Sequence, residues 1–255
     1  MSEDAPDSKA RFSDRVQDYI KYRPGYPSEL FAFLKAELGI PAGSIFADMG
    51  SGTGIFTRGL LEAGYRVEAV EPNAEMRAAA ERDLAGFAGF RSIAAPAEKT
   101  GLPDHSIDAV AAAQAFHWFD PVRARAEWQR ILRRPDLPVI LVWNEREEDT
   151  TPFLREYEEI LVRYGTDYLQ VRHRSKRGPE DMAHFFAPRG YSVREWPTEQ
   201  RFDLEGLFGR AFSSSYVPKK GQPGHEAILN ALRECFARHQ VGGQVEFRYM
   251  TRAYF

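Results

Sequence analysis

Residues 48–54 read Asp-Met-Gly-Ser-Gly-Thr-Gly, three glycines at alternate positions behind a carboxylate. Glycine lets the backbone turn through angles that other residues avoid, and lets a ligand approach the main chain closely. A bare Gly-x-Gly also marks an ordinary tight turn between a strand and a helix, so the neighbouring residues decide. A dinucleotide fingerprint wants a third glycine where this chain has Ile55, and the Gly-Lys-Ser/Thr of a phosphate loop does not follow. Asp48 supplies the sign of the ligand. A carboxylate repels a pyrophosphate, whereas it attracts a sulfonium or an ammonium. S-adenosylmethionine carries both cations and no phosphate. Asp48, Gly50, Ser51, Gly52, Thr53 and Gly54 therefore read as its cradle. Glu71 stands 21 residues beyond Gly50, where an acid is placed to accept bonds from ribose hydroxyls. By itself it would be an ordinary solvated carboxylate ahead of Pro72.

Methyl transfer from a sulfonium is a direct displacement, so the protein mainly aligns nucleophile, methyl and sulfur. A base is needed only when the acceptor must lose a proton. His117 is the candidate, in Gln-Ala-Phe-His-Trp-Phe at 114–119, because an unperturbed imidazole titrates near ~6.5. The commoner role for such a histidine is a hydrogen-bonded ring in an aromatic wall, and both readings stand. Near the start, Tyr19, Tyr22 and Arg23 could close over a cofactor and offer a guanidinium to an acidic substrate. Alternatively, Phe12, Val16 and Tyr19 simply pack an arm onto the core. Arg172–Arg177 is the one basic cluster, read as a solvated surface or as a device that steers an anion. No metal site is expected, because the six histidines lack ligand spacing and Cys235 is the only cysteine.

These residues need a scaffold, and the pattern supplies an α/β one. Residues 1–40 read as an arm of two short helices, Lys9–Lys21 and Ser28–Leu38, parted by Arg23-Pro24-Gly25-Tyr26-Pro27. Residues 41–144 alternate apolar runs with amphipathic stretches, as in a parallel sheet covered by helices. The strands are Ile45–Met49, Arg66–Val70, Phe90–Ala94, Ile107–Ala113 and Leu137–Trp143. The helices are Thr53–Ala63, one capped by Asn73, and one begun by Asp120 and Pro121. Ile107–Ala113 is a strand by its place in the alternation only, since alanines favour helix. Residues 145–255 add helices at Phe153–Tyr164, Glu180–Ala187, Leu204–Phe212 and Glu226–Arg238, with strands at Tyr191–Trp196 and Val245–Tyr254. This final region reads as sheet completion with a helical substrate cap.

The chain has 255 residues, 43% of them hydrophobic, with 34 basic against 37 acidic side chains. That balance offers a nucleic acid no bulk attraction. With no apolar stretch near the ~20 residues that span a bilayer and no secretory signal, a cytoplasmic protein is expected.

Phe46–Gly54, Glu71, Ala97-Glu98 and Gln114–Phe119 together resemble class I S-adenosylmethionine-dependent methyltransferases. Within that class the chain is similar to the methyltransferase type 11 branch, which includes trans-aconitate methyltransferase-like proteins. The resemblance implies a Rossmann-like, doubly wound sheet of seven strands, the last antiparallel. It implies that Asp48 and the glycine loop hold the methionine part, and that Glu71 with Pro72 holds the ribose. Met76, Ala97 and Glu98 would border the adenine, and Gln114-Ala115 would line the cofactor. Pro96 stands where many relatives carry an Asp that bonds the adenine amine, and Glu98 is the available substitute. Ser213–Pro218 resembles a subgroup of that branch. Tyr19, Arg23, His117, Trp118, Ser215 and Tyr216 are the expected acceptor contacts. The expected function is methylation of a small-molecule acceptor, with an acidic metabolite as the candidate. The rivals are a non-catalytic S-adenosylmethionine sensor, separated by product formation, and a nicotinamide dehydrogenase. A nucleic-acid methylase is disfavoured, because 114–120 lacks the Asn/Asp-Pro-Pro-aromatic motif.

Overall fold

A computed structural model describes residues 21–175 and 179–255. Tyr19 and most of the expected helix Lys9–Lys21 lie outside the described residues. Seven strands form one sheet in the order β3-β2-β1-β4-β5-β7-β6. They are β1 (Ile45–Met49), β2 (Arg66–Val70), β3 (Phe90–Ile93), β4 (Ala109–Ala113), β5 (Val139–Arg146), β6 (Val193–Phe202) and β7 (Val245–Tyr254). β1 to β5 pair in parallel, whereas β7 runs antiparallel between β5 and β6. The expected seven strands with an antiparallel last one are therefore present.

The order reverses beside β1. β2 and β3 build outward on one side, and β4 returns to the other side, with Asp48 level with Ala69 on β2 and Ala111 on β4. In doubly wound sheets a crevice opens at such a switch point, at the carboxyl ends of the strands. β4 shows why propensity misleads here. Its alanines favour helix, but Ala109, Val110, Ala111 and Ala112 are fully buried between β1 and β5 with helices on both faces.

Helices cover the sheet: α1 (Ser28–Ala36), α2 (Ile55–Glu62), α3 (Ala74–Leu84), α4 (Pro121–Ile131), α5 (Pro152–Tyr164), α6 (Tyr168–Ser175), α7 (Pro179–Phe186), α8 (Leu204–Phe212) and α9 (His225–His239). Their starts follow capping chemistry. Asn73 accepts from the Glu75 and Met76 amides, and Asp120 accepts from those of Val122 and Arg123 ahead of Pro121. Two apolar clusters fill the faces of the sheet around Phe46 and Trp128, and a third joins α5, α8 and α9 to β7 around Tyr157 and Phe247.

Three expectations change. β6 runs on through Pro197 to Phe202, because it is an edge strand and a missing amide costs it no interior ladder bond. α6 was not anticipated, since its sequence YLQVRHRS lacks a clean apolar stripe. Lastly, α2 begins at Ile55 rather than Thr53, because the glycine loop keeps its own geometry through Gly54.

Candidate functional site

A cleft of about 730 Å³ lies at the carboxyl ends of β1, β2, β4 and β5. The β1–α2 loop forms one wall. Gly50, Gly52 and Gly54 have φ of 67°, 57° and 84°, the left-handed region that side chains strain to adopt. Gly50 is also a close-approach position. A Cβ there would lie 2.6 Å from the Ala115 Cβ and 3.0 Å from the Phe119 ring, so only glycine leaves the loop and the β4 exit in contact. The Gly50 and Ser51 amides both donate to the Val70 carbonyl, which ties the loop to β2.

Two acids stand at this wall. Asp48 is 1% exposed. Its Oδ2 accepts a 2.6 Å bond from the Thr57 hydroxyl, one turn into α2, while its Oδ1 is buried without a partner. Burial raises the Asp48 pKa to about 7; the Thr57 hydrogen bond opposes that rise and the Glu71 charge adds to it. Glu71 follows β2. It accepts from the Gly52 amide at 3.0 Å and the Asn73 amide at 2.8 Å. Arg77 donates to the Glu71 and Pro72 carbonyls at 3.0 Å, fixing the chain where it leaves β2. The Glu71 pKa is also raised by burial, against those amide bonds and the Arg77 charge.

The opposite wall comes from the β4 and β5 ends. Gln114 leaves β4 with φ 57°, an uncommon conformation for a non-glycine residue. Its amide donates to Val142 at 2.8 Å and its side chain donates to the Asn144 carbonyl at 2.8 Å. Asn144 in turn donates to the Gly25 carbonyl and accepts from Thr251. Thus β4, β5, β7 and the Pro24–Pro27 turn are joined at the rim. A short 3-10 turn, Phe116–Trp118, brings His117 and Trp118 to the cleft with ring centroids 4.9 Å apart.

Most expected site residues meet here. Asp48, Gly50, Ser51, Gly52, Thr53, Glu71, Pro72 and Met76 line the cleft from one side. Gln114, Ala115, His117 and Trp118 line it from the other, and Arg23, Ser215 and Tyr216 close it. Three do not line it. Gly54 caps α2, and a Cβ there would meet Leu84 and Ala80 rather than the cleft. The Ala97 carbonyl accepts from the Trp128 indole at 3.0 Å, and the Glu98 carboxylate accepts from the Asp120 amide at 3.0 Å. Those two residues hold α4, Glu98 at its cap and Ala97 at Trp128 toward its far end.

Several lining residues had not been anticipated. Trp143 and Phe119 add aromatic wall; Arg146, Glu158 and Tyr168 form a mutually hydrogen-bonded trio. Arg172 pairs with Glu148 and Glu158 in the cleft wall, so this member of the basic cluster is not a free surface charge. Arg210 was legible in principle, because it falls with Leu207 and Ala211 on the buried face of α8. Away from the cleft, the potential ligand atoms of Glu156, Cys235 and His239 lie within 4.8 Å of one another. Glu156 is engaged by Arg238 and His239, and burial pushes the Cys235 thiol up to about 12.

Residues 47–135 match the family model described as a methyltransferase domain. An uncharacterised methyltransferase-like protein of Schizosaccharomyces pombe is 34% identical over 250 residues, 95% of this chain and 93% of its own. An uncharacterised methyltransferase of Mycobacterium tuberculosis is 40% identical over 164 residues; the match spans 62% of each chain. A solved structure described as a type II methyltransferase from Anaeromyxobacter dehalogenans superposes with a TM-score of 0.64 at 28% identity. It covers 91% of this chain and 97% of that one.

Proposed function

This chain belongs to the class I S-adenosylmethionine-dependent methyltransferases, and we propose that it methylates a small molecule carrying an acidic group. The observation that carries the cofactor half is the Asp48 carboxylate, buried at the cleft wall with Oδ1 unpartnered. A buried carboxylate without a counter-charge is costly, and a cationic ligand removes that cost. The loop glycines hold that wall in its left-handed turn, with Gly50 packed against Ala115 and Phe119 and Gly52 facing Met76.

When bound, S-adenosylmethionine supplies an electrophilic methyl on a sulfonium. The chain's own residues do the rest. Asp48 attracts the cationic end, and Glu71, held by the Gly52 and Asn73 amides, is oriented to accept from hydroxyls. Trp118, Phe119 and Trp143 restrict water at the β4–β5 side. His117 is the one histidine among the described lining residues. It would take the proton of a hydroxyl acceptor, whereas a carboxylate acceptor needs no base. Arg23, at the rim, supports the acidic acceptor.

Thermal stabilisation by S-adenosylhomocysteine and by NAD tests the reading. The expected result is a rise in melting temperature with the first alone. A rise with NAD alone would remove the methyltransferase reading.

A further inference from the structure

The cleft wall built by α8 and β7 holds a buried positive charge apart from the loop and the two acids assigned to the cofactor. Arg210 lines the cleft and is 5% exposed. Its Nε donates to the Tyr249 hydroxyl at 3.0 Å and its Nη1 to the Ser214 hydroxyl at 3.4 Å. The Phe247 and Tyr249 rings lie 5.8 and 5.9 Å from the guanidinium carbon. All of these partners are neutral. The other buried arginine of the cleft, Arg146, is matched by Glu158, and Arg172 is matched by Glu148 and Glu158. No carboxylate among the described residues pairs with Arg210.

A guanidinium has five N–H donors in a flat fork, suited to an oxyanion. Burying that charge among hydroxyls and rings is unfavourable until an anion completes the site. A second guanidinium converges on the same hydroxyl, for Arg23 Nη2 lies 3.4 Å from both Ser214 Oγ and the Ser213 carbonyl. Ser215 and Tyr216 continue from there along the cleft. The segment is held in place by the Ser213 hydroxyl, which donates to the Arg210 carbonyl at 2.8 Å.

We infer that Arg210 is the specificity-determining residue for the acceptor, anchoring an oxyanion of it, a carboxylate or a phosphate, in the buried corner between α8 and β7. The inference rests on the methyltransferase reading for the word acceptor, but the anion site stands on its own geometry. It goes beyond the rim contact of Arg23, because a buried fork selects its ligand where a charge at the rim mainly attracts one.

Calorimetric titration of the S-adenosylhomocysteine-bound protein with succinate, citrate and inorganic phosphate, against chloride at matched ionic strength, tests it. Wild type is expected to bind at least one oxyanion saturably. Arg210→Met is expected to weaken that binding by about tenfold or more, and Arg210→Lys by several-fold, because an ammonium lacks the fork. Affinity for S-adenosylhomocysteine should stay within about twofold in both variants. Preference for succinate or citrate identifies a carboxylate acceptor; preference for phosphate identifies a phosphorylated one. Absence of saturable binding to wild type overturns the inference, as does equal affinity in Arg210→Met. If Arg210→Met fails to fold, the lysine variant decides, and binding as tight as wild type overturns the fork. Failure of wild type to bind S-adenosylhomocysteine would strike the methyltransferase reading instead, and the anion titration of the free protein would still report on Arg210.

Discussion

Replacing Asp48 by Asn should make the free protein more stable at alkaline pH and a poorer binder of cofactor. Burial raises the carboxyl from its ordinary 3.8 to about 7, with Thr57 opposing and Glu71 adding. A folded pKa above the unfolded one means that the folded state holds the proton longer. Stability from this group is therefore fully present below about 4 and is lost as pH rises through about 7. The whole shift corresponds to about 4 kcal/mol, and the part falling between about pH 5 and about pH 8.5 to about 3 kcal/mol. Asn keeps an acceptor for the Thr57 hydroxyl and has no charge to bury. The fall in melting temperature between those two pH values should then be smaller in the variant by roughly 5–10 °C for a chain of this size. The assay is thermal unfolding of both proteins across pH, without and with S-adenosylhomocysteine. The ligand should stabilise wild type and stabilise the variant much less, because a cation–carboxylate contact is gone. Parallel pH profiles for the two proteins would refute the reasoning about burial. Equal stabilisation by the ligand would refute the cofactor role of Asp48.

Thr57→Val removes the bond that holds the Asp48 pKa down; the pH midpoint for S-adenosylhomocysteine binding, read by calorimetry, should move upward from that of wild type. Glu71→Gln should weaken S-adenosylhomocysteine by about tenfold through loss of a charge-assisted acceptor, with the fold intact by circular dichroism. Gly50→Ala should cost about 1–3 kcal/mol in denaturant unfolding, since the new methyl meets Ala115 at 2.6 Å in a left-handed backbone. His117→Ala should lower kcat on a hydroxyl acceptor by roughly 10²-fold with the KM for S-adenosylmethionine unchanged. Wild-type turnover on the native acceptor would leave His117 as a wall residue.

The sequence made the β1–α2 loop and Glu71 legible because their chemistry is local: glycines, one acid ahead of them, and a second acid at the end of the next strand. Asn73, Asp120 and Pro121 were legible for the same reason, each capping a helix with its own side chain. What escaped depends on contacts distant in sequence. β6 reaches Phe202 only because Pro197 sits on a sheet edge, and edges exist only once the strand order is set. Ala97 and Glu98 turned from the cleft because Trp128 and Asp120, about 20–30 residues on, claim their polar atoms. Arg210 needed β7 beside α8 to show that its partners are neutral hydroxyls rather than acids.

The most direct measurement is incubation of the protein with methyl-labelled S-adenosylmethionine and a metabolite extract, followed by mass spectrometry of the products. A labelled small acidic product, absent without protein and greatly reduced with Asp48→Asn, is the predicted result. Saturable binding of S-adenosylhomocysteine with no labelled product in any fraction would contradict catalysis and leave a cofactor-sensing protein in its place.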